Sequence, residues 1–237
     1  MRDLERDAPL NGDLSKRVFV DTTSLPWTSS PSKTVWRKRL HRVGPAESGQ
    51  VTSLVRYEPG AAFPVHDHPE GEEILVLEGV FSDEHGDWPA GTWLLNPEGF
   101  RHAPFSKKGC LLFVKLRQAA GTARRHALVS TDQVAWRKTG VAGVERKTLA
   151  AQPEFSDATS LERWGADTEL GDREFNGGVE YFVLEGGFSD EAGTYREGSW
   201  LRLPAGSRHR PFTRDGCLLY VKVDALGSLR SSQESGE

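Results

Sequence analysis

The sequence contains one domain-sized segment twice. When the 237-residue chain is aligned with itself at an offset of 107, residues 71–115 and 178–222 share 26 identities over 45 positions without a gap. A period of this length indicates a duplicated domain and not a solenoid of short repeats. The duplication predicts an N-terminal extension at 1–18, a first domain at 19–122, a second domain at 128–225 and a disordered tail at 226–237.

Each copy contains short apolar runs of the kind that form strands. In the first copy these are "EILVLEG", "TWLLNP" and "CLLFVKL", rich in branched and aromatic residues and separated by Gly, Pro and Asp. No stretch shows a helical stripe of more than two or three turns, so helices should be minor. The pattern predicts an all-β protein made of two tandem barrels of the jelly-roll, double-stranded β-helix kind.

Charge and composition narrow the classes of partner. Thirty basic and thirty-four acidic residues give a formal charge of -4, and neither sign collects into a long run. We therefore expect a small-molecule ligand or substrate, and no nucleic acid or membrane surface. The charged N-terminus resembles no signal peptide, which predicts a soluble, cytoplasmic protein.

The two cysteines occupy equivalent positions in the two copies. Cys110 and Cys217 each follow a Gly and open the same apolar strand. Residues in separate barrels are poor candidates for a disulfide with each other. We interpret both as small buried hydrophobic residues at a strand start.

The stretch "FPVHDHPEGEEILVLEG", residues 63–79, contains a candidate metal site. Alternate residues of a strand point the same way, so His66 and His68 project together. About thirty residues later a Pro/Gly turn in "PEGFRHAPF" returns His102 toward the same place. An isolated H-x-H is more often surface decoration, but three imidazoles with a carboxylate suit Zn, Fe, Mn, Ni or Cu.

The duplication indicates which acid belongs to the site. The second copy replaces three of the candidate ligands, with Arg173 for His66, Phe175 for His68 and Val179 for Glu72. Glu73 persists as Glu180, which favours a structural hydrogen bond or ion pair, and Glu70 is interpreted as a solvated loop carboxylate. The predicted metal ligands are His66, His68, Glu72 and His102. His102 also persists, as His209, so we expect it to serve the fold too, by bonding to backbone near the following Pro-Phe.

These residues carry a resemblance to the cupin superfamily. The first cupin motif resembles the run from Gly60 through His66, His68 and Glu72 to Gly79. The second resembles the run from Gly91 through Pro97 and Gly99 to His102, with Ser106 where the general motif ends in Asn. The resemblance implies a bicupin, with one divalent transition metal per chain in the first barrel: Zn or Fe above all, with Mn and Ni as alternatives. It also independently selects Glu72 over Glu73.

More narrowly, residues 72–118 resemble the ChrR-like cupins, named for the cupin half of a zinc-binding anti-sigma factor. That factor carries an additional N-terminal zinc-binding helical domain, whereas residues 1–18 here contain neither Cys nor His. Direct inhibition of a sigma factor is therefore not expected. Cupins often dimerise through edge strands, so a homodimer is a fold-level expectation.

Three functions remain open at this point. Relatives in this cupin group resemble oxygenases that cleave diketones or hydroxyaryl ketones, which makes a mononuclear non-haem metal dioxygenase the leading enzyme class. The alternative is a non-catalytic regulatory cupin that senses metal or ligand, as in the cupin half of the anti-sigma factor. A third hypothesis makes the metal a structural clasp.

Several further expectations concern the remaining positions. The second barrel is expected to hold an empty or anion-visited pocket instead of a metal. The residues expected to face solvent are His41, His85 and His126. Strand parity offers candidates to line the metal pocket, although residues of this kind are more often ordinary core: Phe63, Ile74, Val76, Trp93 and Phe105.

Overall fold

A computed structural model describes residues 8–231 of the chain. The first strands are β1 (Val18–Asp21), β2 (Thr28–Ser29), β3 (Val35–Val43), β4 (Gln50–Tyr57), β5 (Ala61–Ala62), β6 (His66–His68), β7 (Glu72–Asp83), β8 (Gly86–Pro89), β9 (Thr92–Asn96), β10 (Phe100–His102), β11 (Phe105–Ser106), β12 (Cys110–Leu116) and β13 (Ala127–Ser130). They are followed by β14 (Arg137–Lys138), β15 (Val144–Ala151), β16 (Ala158–Trp164), β17 (Thr168–Glu169), β18 (Arg173–Phe175), β19 (Val179–Asp190), β20 (Gly193–Arg196), β21 (Ser199–Leu203), β22 (Ser207–His209), β23 (Phe212–Thr213) and β24 (Cys217–Val223).

Helix is confined to two short 3₁₀ turns in the described residues, Thr131–Gln133 and Leu226–Ser228. Over residues 8–231 none of the helical segments has the length and apolarity needed to cross a membrane. The all-β class predicted from the short apolar runs is confirmed.

Backbone contacts divide the chain into two compact units. Within the described residues, unit 1 consists of 8–12, 25–133 and 230–231, and unit 2 consists of 13–24 and 134–229. The boundaries at 19, 122, 128 and 225 that the repeat suggests stay a prediction.

In unit 1 a long antiparallel sheet has the strand order β13-β9-β7-β12-β4-β3-β2. The far half of β7 bends away to pair with β8 and β11, and β6 pairs with β10. Apolar side chains between these layers form a buried core that includes Val55, Ile74, Val76, Phe81 and Leu112. The arrangement is a jelly-roll cup, and β6, β7 and β10 contribute to its wall.

Unit 2 repeats this order with the equivalent strands, as β1-β21-β19-β24-β16-β15-β14. The edge strand of each sheet comes from the other repeat. Strand β13 belongs to the second repeat in sequence, yet it pairs with β9 of the first. Strand β1 belongs to the first repeat, yet it pairs with β21 of the second. The two repeats have therefore exchanged edge strands within one chain.

Gly79 allows β7 to bend between the two layers. Its φ is +73°, and a Cβ at this position would lie 2.2 Å from the carbonyl oxygen of Gly109. Only glycine tolerates both the left-handed backbone and that approach. The same contact recurs in unit 2, between Gly186 and Gly216.

The cysteines behave as predicted. Cys110 and Cys217 are the first residues of β12 and β24, both are buried, and both carry free thiols. Burial raises the pKa of Cys110 to about 11 and that of Cys217 to about 12. Each thiol packs as a small apolar group at the end of a core strand.

One expectation about a solvent-facing residue differs from the structure. His41 is 1% exposed, and its Nδ1 lies 3.0 Å from the carbonyl oxygen of Asn11, so its predicted exposure is wrong. The disordered tail predicted at 226–237 lies within the described residues only as far as 231, and 232–237 lie outside them. Leu10 bridges Arg42, and Leu226 is buried in a 3₁₀ turn. Backbone bridges of this kind leave no periodic signal in a sequence. His85 and His126 are exposed, as expected.

Candidate metal centre

Strand pairing brings the predicted histidines together. In the β6–β10 pair His66 lies directly opposite His102, and His68 lies opposite Phe100. Since His66 and His68 are alternate residues of a strand, both rings point to one side, and the pairing places the His102 ring beside them. Candidate ligand atoms of the three histidines all lie within 4.8 Å of one another.

Glu72, the first residue of β7, lies against two of these rings. Its Oε2 is 3.4 Å from Nε2 of His68 and 3.7 Å from Nε2 of His102, and those two nitrogens are 2.8 Å apart. His102 is 0% exposed, while His68 and Glu72 are each 6% exposed. His66 is half-buried and lies on the open side of the group.

The separations among His68, His102 and Glu72 fit the coordination sphere of one metal ion. Two ligand atoms about 2.1 Å from the same metal lie about 3.0 Å apart at right angles and about 3.4 Å apart at a tetrahedral angle. The measured 2.8, 3.4 and 3.7 Å surround those values. The donor set, three imidazoles and a carboxylate, suits a divalent transition metal.

Hydrogen bonds orient two of the rings for coordination. Nδ1 of His102 donates to Oδ2 of Asp83 at 3.1 Å, and Nδ1 of His66 donates to the carbonyl oxygen of Pro64 at 2.9 Å. In a neutral ring the other nitrogen then carries its lone pair toward the group. Burial, above all, lowers the pKa of His68, which favours its neutral, metal-binding form. For His102 the opposing effect of burial is outweighed by Asp83 and Glu72, and its pKa is raised.

Two supporting residues did not emerge from the sequence. Asn96 pairs with Glu72 across β7 and β9, and its Nδ2 donates to Oε2 of that carboxylate at 3.0 Å. Asp83 holds His102. The signal for Asp83 was present, because it recurs in the second copy as Asp190, beside a histidine that also recurs.

The other acids of the motif have different roles. Oε1 of Glu73 accepts a hydrogen bond from Nε1 of Trp93 at 2.9 Å, which confirms the structural role expected for an acid present in both copies. The equivalent bond in unit 2 joins Trp200 to Glu180 at 3.1 Å. Glu70 forms an ion pair with Arg230.

The metal candidates face a cavity of about 390 Å³. His66, His68 and Glu72 line it together with apolar side chains that include Phe63, Ile74, Phe81, Leu112 and Val114. Phe63 and Ile74 therefore lie where expected. Trp93 does not, because it pairs with Leu75 and so shares the sheet face that points away from Ile74. Of the other predicted lining residues, Val76 belongs to the buried core, and Phe105 is partly exposed in β11.

The interior of unit 2 is filled differently at the equivalent positions. Phe175 and Val179 are buried where unit 1 has His68 and Glu72, and Tyr181 replaces Ile74. All three belong to the aromatic core of unit 2. The expected empty or anion-visited pocket is therefore wrong at this place, because aromatic rings occupy the volume.

The retained histidine of unit 2 has lost its cluster but kept its acid. Nδ1 of His209 donates to Oδ2 of Asp190 at 3.0 Å, and the hydroxyl of Tyr181 lies 3.3 Å from Nε2. Burial raises the pKa of Tyr181, so the hydroxyl stays protonated and donates. The expected bond from this histidine to backbone near Pro-Phe is thus corrected to a bond with an aspartate, and the same correction applies to His102.

The fold has many similar solved structures. They include a protein described as a "putative dioxygenase" from Nostoc punctiforme PCC 73102, with a TM-score of 0.72 and 15% identity over 92% of this chain and 86% of that one. A bacterial pirin in complex with nickel(II) from Escherichia coli matches with a TM-score of 0.62 and 14% identity, over 88% and 98%. An oxalate decarboxylase mutant from Bacillus subtilis matches with a TM-score of 0.58 and 12% identity, over 90% and 78%. Identities this low establish a shared fold and no more.

Comparison with sequence families is more specific. A search of the curated proteins found no significant match. The family model for the ChrR cupin-like domain matches twice, over residues 15–120 and 124–227. Together the two matches span most of the chain, one for each copy of the repeat. The protein is thus a tandem cupin and belongs to the ChrR cupin-like family.

Proposed function

We propose that unit 1 binds one divalent transition metal through His66, His68, Glu72 and His102, and that this centre acts on a small oxygen-bearing molecule. The convergence of three imidazoles and a carboxylate at one wall of the 390 Å³ cavity carries the proposal. When bound, the metal would supply Lewis-acid chemistry and, in the case of iron, redox chemistry toward dioxygen. Four protein ligands leave positions free on a metal that accepts six.

The chain's own residues prepare the centre for that chemistry. Asp83 and the Pro64 carbonyl fix the orientation of His102 and His66, and Asn96 holds the carboxylate of Glu72. Apolar side chains line the cavity next to these ligands and limit the water there, which strengthens polar interactions at the metal. Such a site favours a compact ligand that presents a polar group to the metal.

The reaction class that we propose is dioxygenation, with a diketone or a hydroxyaryl ketone as substrate. Neighbouring oxygens on such a molecule suit chelation at the free positions of the metal. The likeness to the ChrR-like cupins and to the protein described as a "putative dioxygenase" supports this class. For this class we propose iron, because iron supplies redox chemistry toward dioxygen, whereas the nickel in the pirin relative shows only what that protein binds.

The test combines metal analysis with oxygen uptake. Protein purified without added metal is analysed by elemental mass spectrometry, and the iron-loaded form is then supplied with 2,4-pentanedione or 2-hydroxyacetophenone in an oxygen electrode. His66→Ala and Glu72→Ala should lose both metal and uptake. Arg173→Ala, at the position in unit 2 that matches His66, is the control and should lose neither. Wild-type protein that retains no transition metal would contradict the proposal.

A second function is favoured by the family itself. The ChrR cupin-like match makes a regulatory cupin, which senses metal or ligand without turnover, the alternative. It predicts a metal-loaded wild-type protein that consumes no oxygen with either ketone. It also predicts a protein partner whose affinity changes when the metal is removed by a chelator.

A further inference from the structure

Two arginines of β3 line the same cavity as the metal candidates. Arg37 and Arg39 are alternate residues of β3, so their side chains lie on one face of the sheet. Arg37 pairs with Val55 and Arg39 with Ser53 on β4, and all four residues line the same cavity as His66 and His68. The arginine side chains are 19% and 16% exposed, so both charges are largely removed from water.

One carboxylate at the rim pairs with both guanidinium groups. Oε2 of Glu47 accepts from Nη1 of Arg37 at 2.6 Å, and Oε1 accepts from Nη2 of Arg39 at 3.0 Å. Glu47 lies in the loop between β3 and β4, and its side chain is 48% exposed. Two partly buried positive charges thus share a negative charge that is half exposed to solvent.

Arg39 retains unused capacity to bind an anion. Its Nε is buried, and no residue within 8–231 accepts a hydrogen bond from it. Burial lowers the pKa of Arg39, and the nearby charge of Arg37 lowers it further. An additional negative charge in the cavity would relieve both effects.

Unit 2 shows what a fully neutralised arginine looks like in this fold. Arg146, the counterpart of Arg37, pairs across the sheet with Glu162, and Oε1 of Glu162 accepts from its Nε at 2.9 Å and its Nη2 at 2.6 Å. The Glu162 side chain is only 7% exposed and also accepts from Trp164. At the Glu162 position unit 1 has Val55, and at the Arg39 position unit 2 has Thr148. The internal counter-ion is therefore absent from the cup that has the metal candidates.

We propose that Arg37 and Arg39 bind a carboxylate of the small molecule whose other end reaches the metal centre, so that the natural ligand is an oxygen-bearing organic acid. In the absence of the acid, Glu47 occupies the two guanidinium groups. The incoming carboxylate displaces Glu47 toward solvent and gains Nε of Arg39 as a further donor. This inference rests on the proposed function, because it names the substrate class of the same site.

The physical argument concerns charge and shape together. A guanidinium group matches a carboxylate with two parallel hydrogen bonds, and such charge-assisted bonds are among the strongest in proteins. The apolar residues that line the same cavity suit the carbon skeleton of a short ligand. A neutral diketone would leave both arginines to Glu47 and would use only the metal end of the cavity.

The experiment compares two probes that differ in one carboxylate, 2,4-dioxopentanoate and 2,4-pentanedione. Their binding to the full-length, zinc-loaded protein is measured by isothermal titration calorimetry. Arg39→Gln should weaken binding of the acid about 10-fold to 100-fold and leave binding of the neutral diketone unchanged. Glu47→Gln should tighten binding of the acid about 3-fold to 10-fold, since it removes the competing carboxylate. Arg146→Gln, the matched change in unit 2, should alter neither.

Glu47→Gln keeps the test decisive if Arg39→Gln destabilises the fold, because a misfolded protein does not gain affinity. Equal weakening of both probes by Arg39→Gln, weaker acid binding after Glu47→Gln, or no acid binding by the wild-type protein at millimolar concentration would each overturn the inference. Repeating the titrations after metal removal separates the two proposals. If the protein holds no metal and the arginine-dependent preference for the acid persists, the proposed function fails and the carboxylate site stands.

Discussion

The two units share strand order and differ in what fills the cup. In unit 1, His68, Glu72 and Ile74 face the interior, and in unit 2 the same places hold Phe175, Val179 and Tyr181. A few substitutions thus exchange a polar centre beside a cavity for a packed aromatic core. The strand framework does not depend on the metal ligands, because one unit has this framework without them.

What both units retain is equally informative. In each unit a histidine is hydrogen-bonded to an aspartate, His102 to Asp83 and His209 to Asp190. In each unit a tryptophan also donates a hydrogen bond to a buried glutamate of the long strand. These pairs join distant strands and contribute to stability in both units. In unit 1 the hydrogen bond from His102 to Asp83 also orients the ring so that its Nε2 lies among the other candidate ligand atoms.

The largest expected effect separates metal binding from packing. His68→Ala should reduce metal from about one per chain to near zero, because it removes a buried ligand from the centre. Phe175→Ala, the matched change in unit 2, should leave the metal content unchanged and lower the free energy of unfolding by about 3–5 kcal/mol. Elemental analysis and urea titration measure the two quantities. Metal retention by His68→Ala would show that His68 is not a metal ligand and that this position does not account for the difference between the units.

The next effect concerns the buried acid of unit 2. Asp190 accepts hydrogen bonds from His209, Tyr195 and Arg17. Replacement by Asn should cost about 3 kcal/mol near neutral pH, because it leaves those donors without a charged partner. Burial opposes the effect of these donors, but the net pKa of Asp190 is lowered well below its usual value of 3.8.

The lowered pKa of Asp190 determines how the stability difference between wild type and Asp190→Asn depends on pH. The stability that Asp190 contributes is fully present above pH 3.8 and is lost as the pH falls below 3.8 toward the lowered folded value. Thermal unfolding of wild type and Asp190→Asn should therefore converge in acid. Asp215→Asn, at an exposed acid of the same unit, should show no such difference. A constant stability difference between wild type and Asp190→Asn across the acid range would count against a stabilising role for the hydrogen bonds to Asp190.

A smaller effect is expected from the matching acid of unit 1. Asp83→Asn keeps the shape of the side chain but weakens its hold on His102, and loss of such a partner costs about 10-fold to 100-fold in metal affinity. Competition with a fluorescent zinc chelator measures this change. Glu84→Gln, at the exposed neighbour, is the control. An unchanged affinity for Asp83→Asn would mean that packing alone orients the ring.

The smallest expected signal is shared by the two units. With pKa values raised to about 11 and about 12, Cys110 and Cys217 are almost entirely protonated at pH 8, and both are buried. Iodoacetamide should therefore label neither thiol in the native protein within minutes, and both after denaturation. Intact-mass spectrometry counts the labels. Rapid native labelling of one cysteine alone would identify a unit that opens more readily.

The sequence was sufficient where a feature depends on local spacing. The strand class, the convergence of the H-x-H pair with His102 and the structural role of Glu73 follow from periodicity and from the internal repeat, whereas Glu72 as a metal ligand stays a prediction. Features that depend on register across strands are not accessible in this way. Strand parity alone does not show which face Trp93 occupies or that Asn96 meets Glu72, because both depend on how β9 aligns with β7.

A comparison of the ligand positions alone does not reveal every difference between the two copies. The change of Ile74 to Tyr181 supplies the hydroxyl that fills the second cup, and it was visible in the alignment. Arg37 and Arg39 lie in a part of the repeat where similarity is weak. Their shared orientation toward the cavity becomes evident only when β3 is paired with β4.

The exchanged edge strands limit how this protein can be divided. A fragment that ends at residue 122 retains the metal candidates but lacks β13, so the backbone of β9 is left without its neighbour. An unpaired strand edge of this kind is prone to pair with a strand of a second molecule. In the whole chain each repeat supplies the edge strand that completes the sheet of the other, so neither repeat is self-sufficient as a sheet.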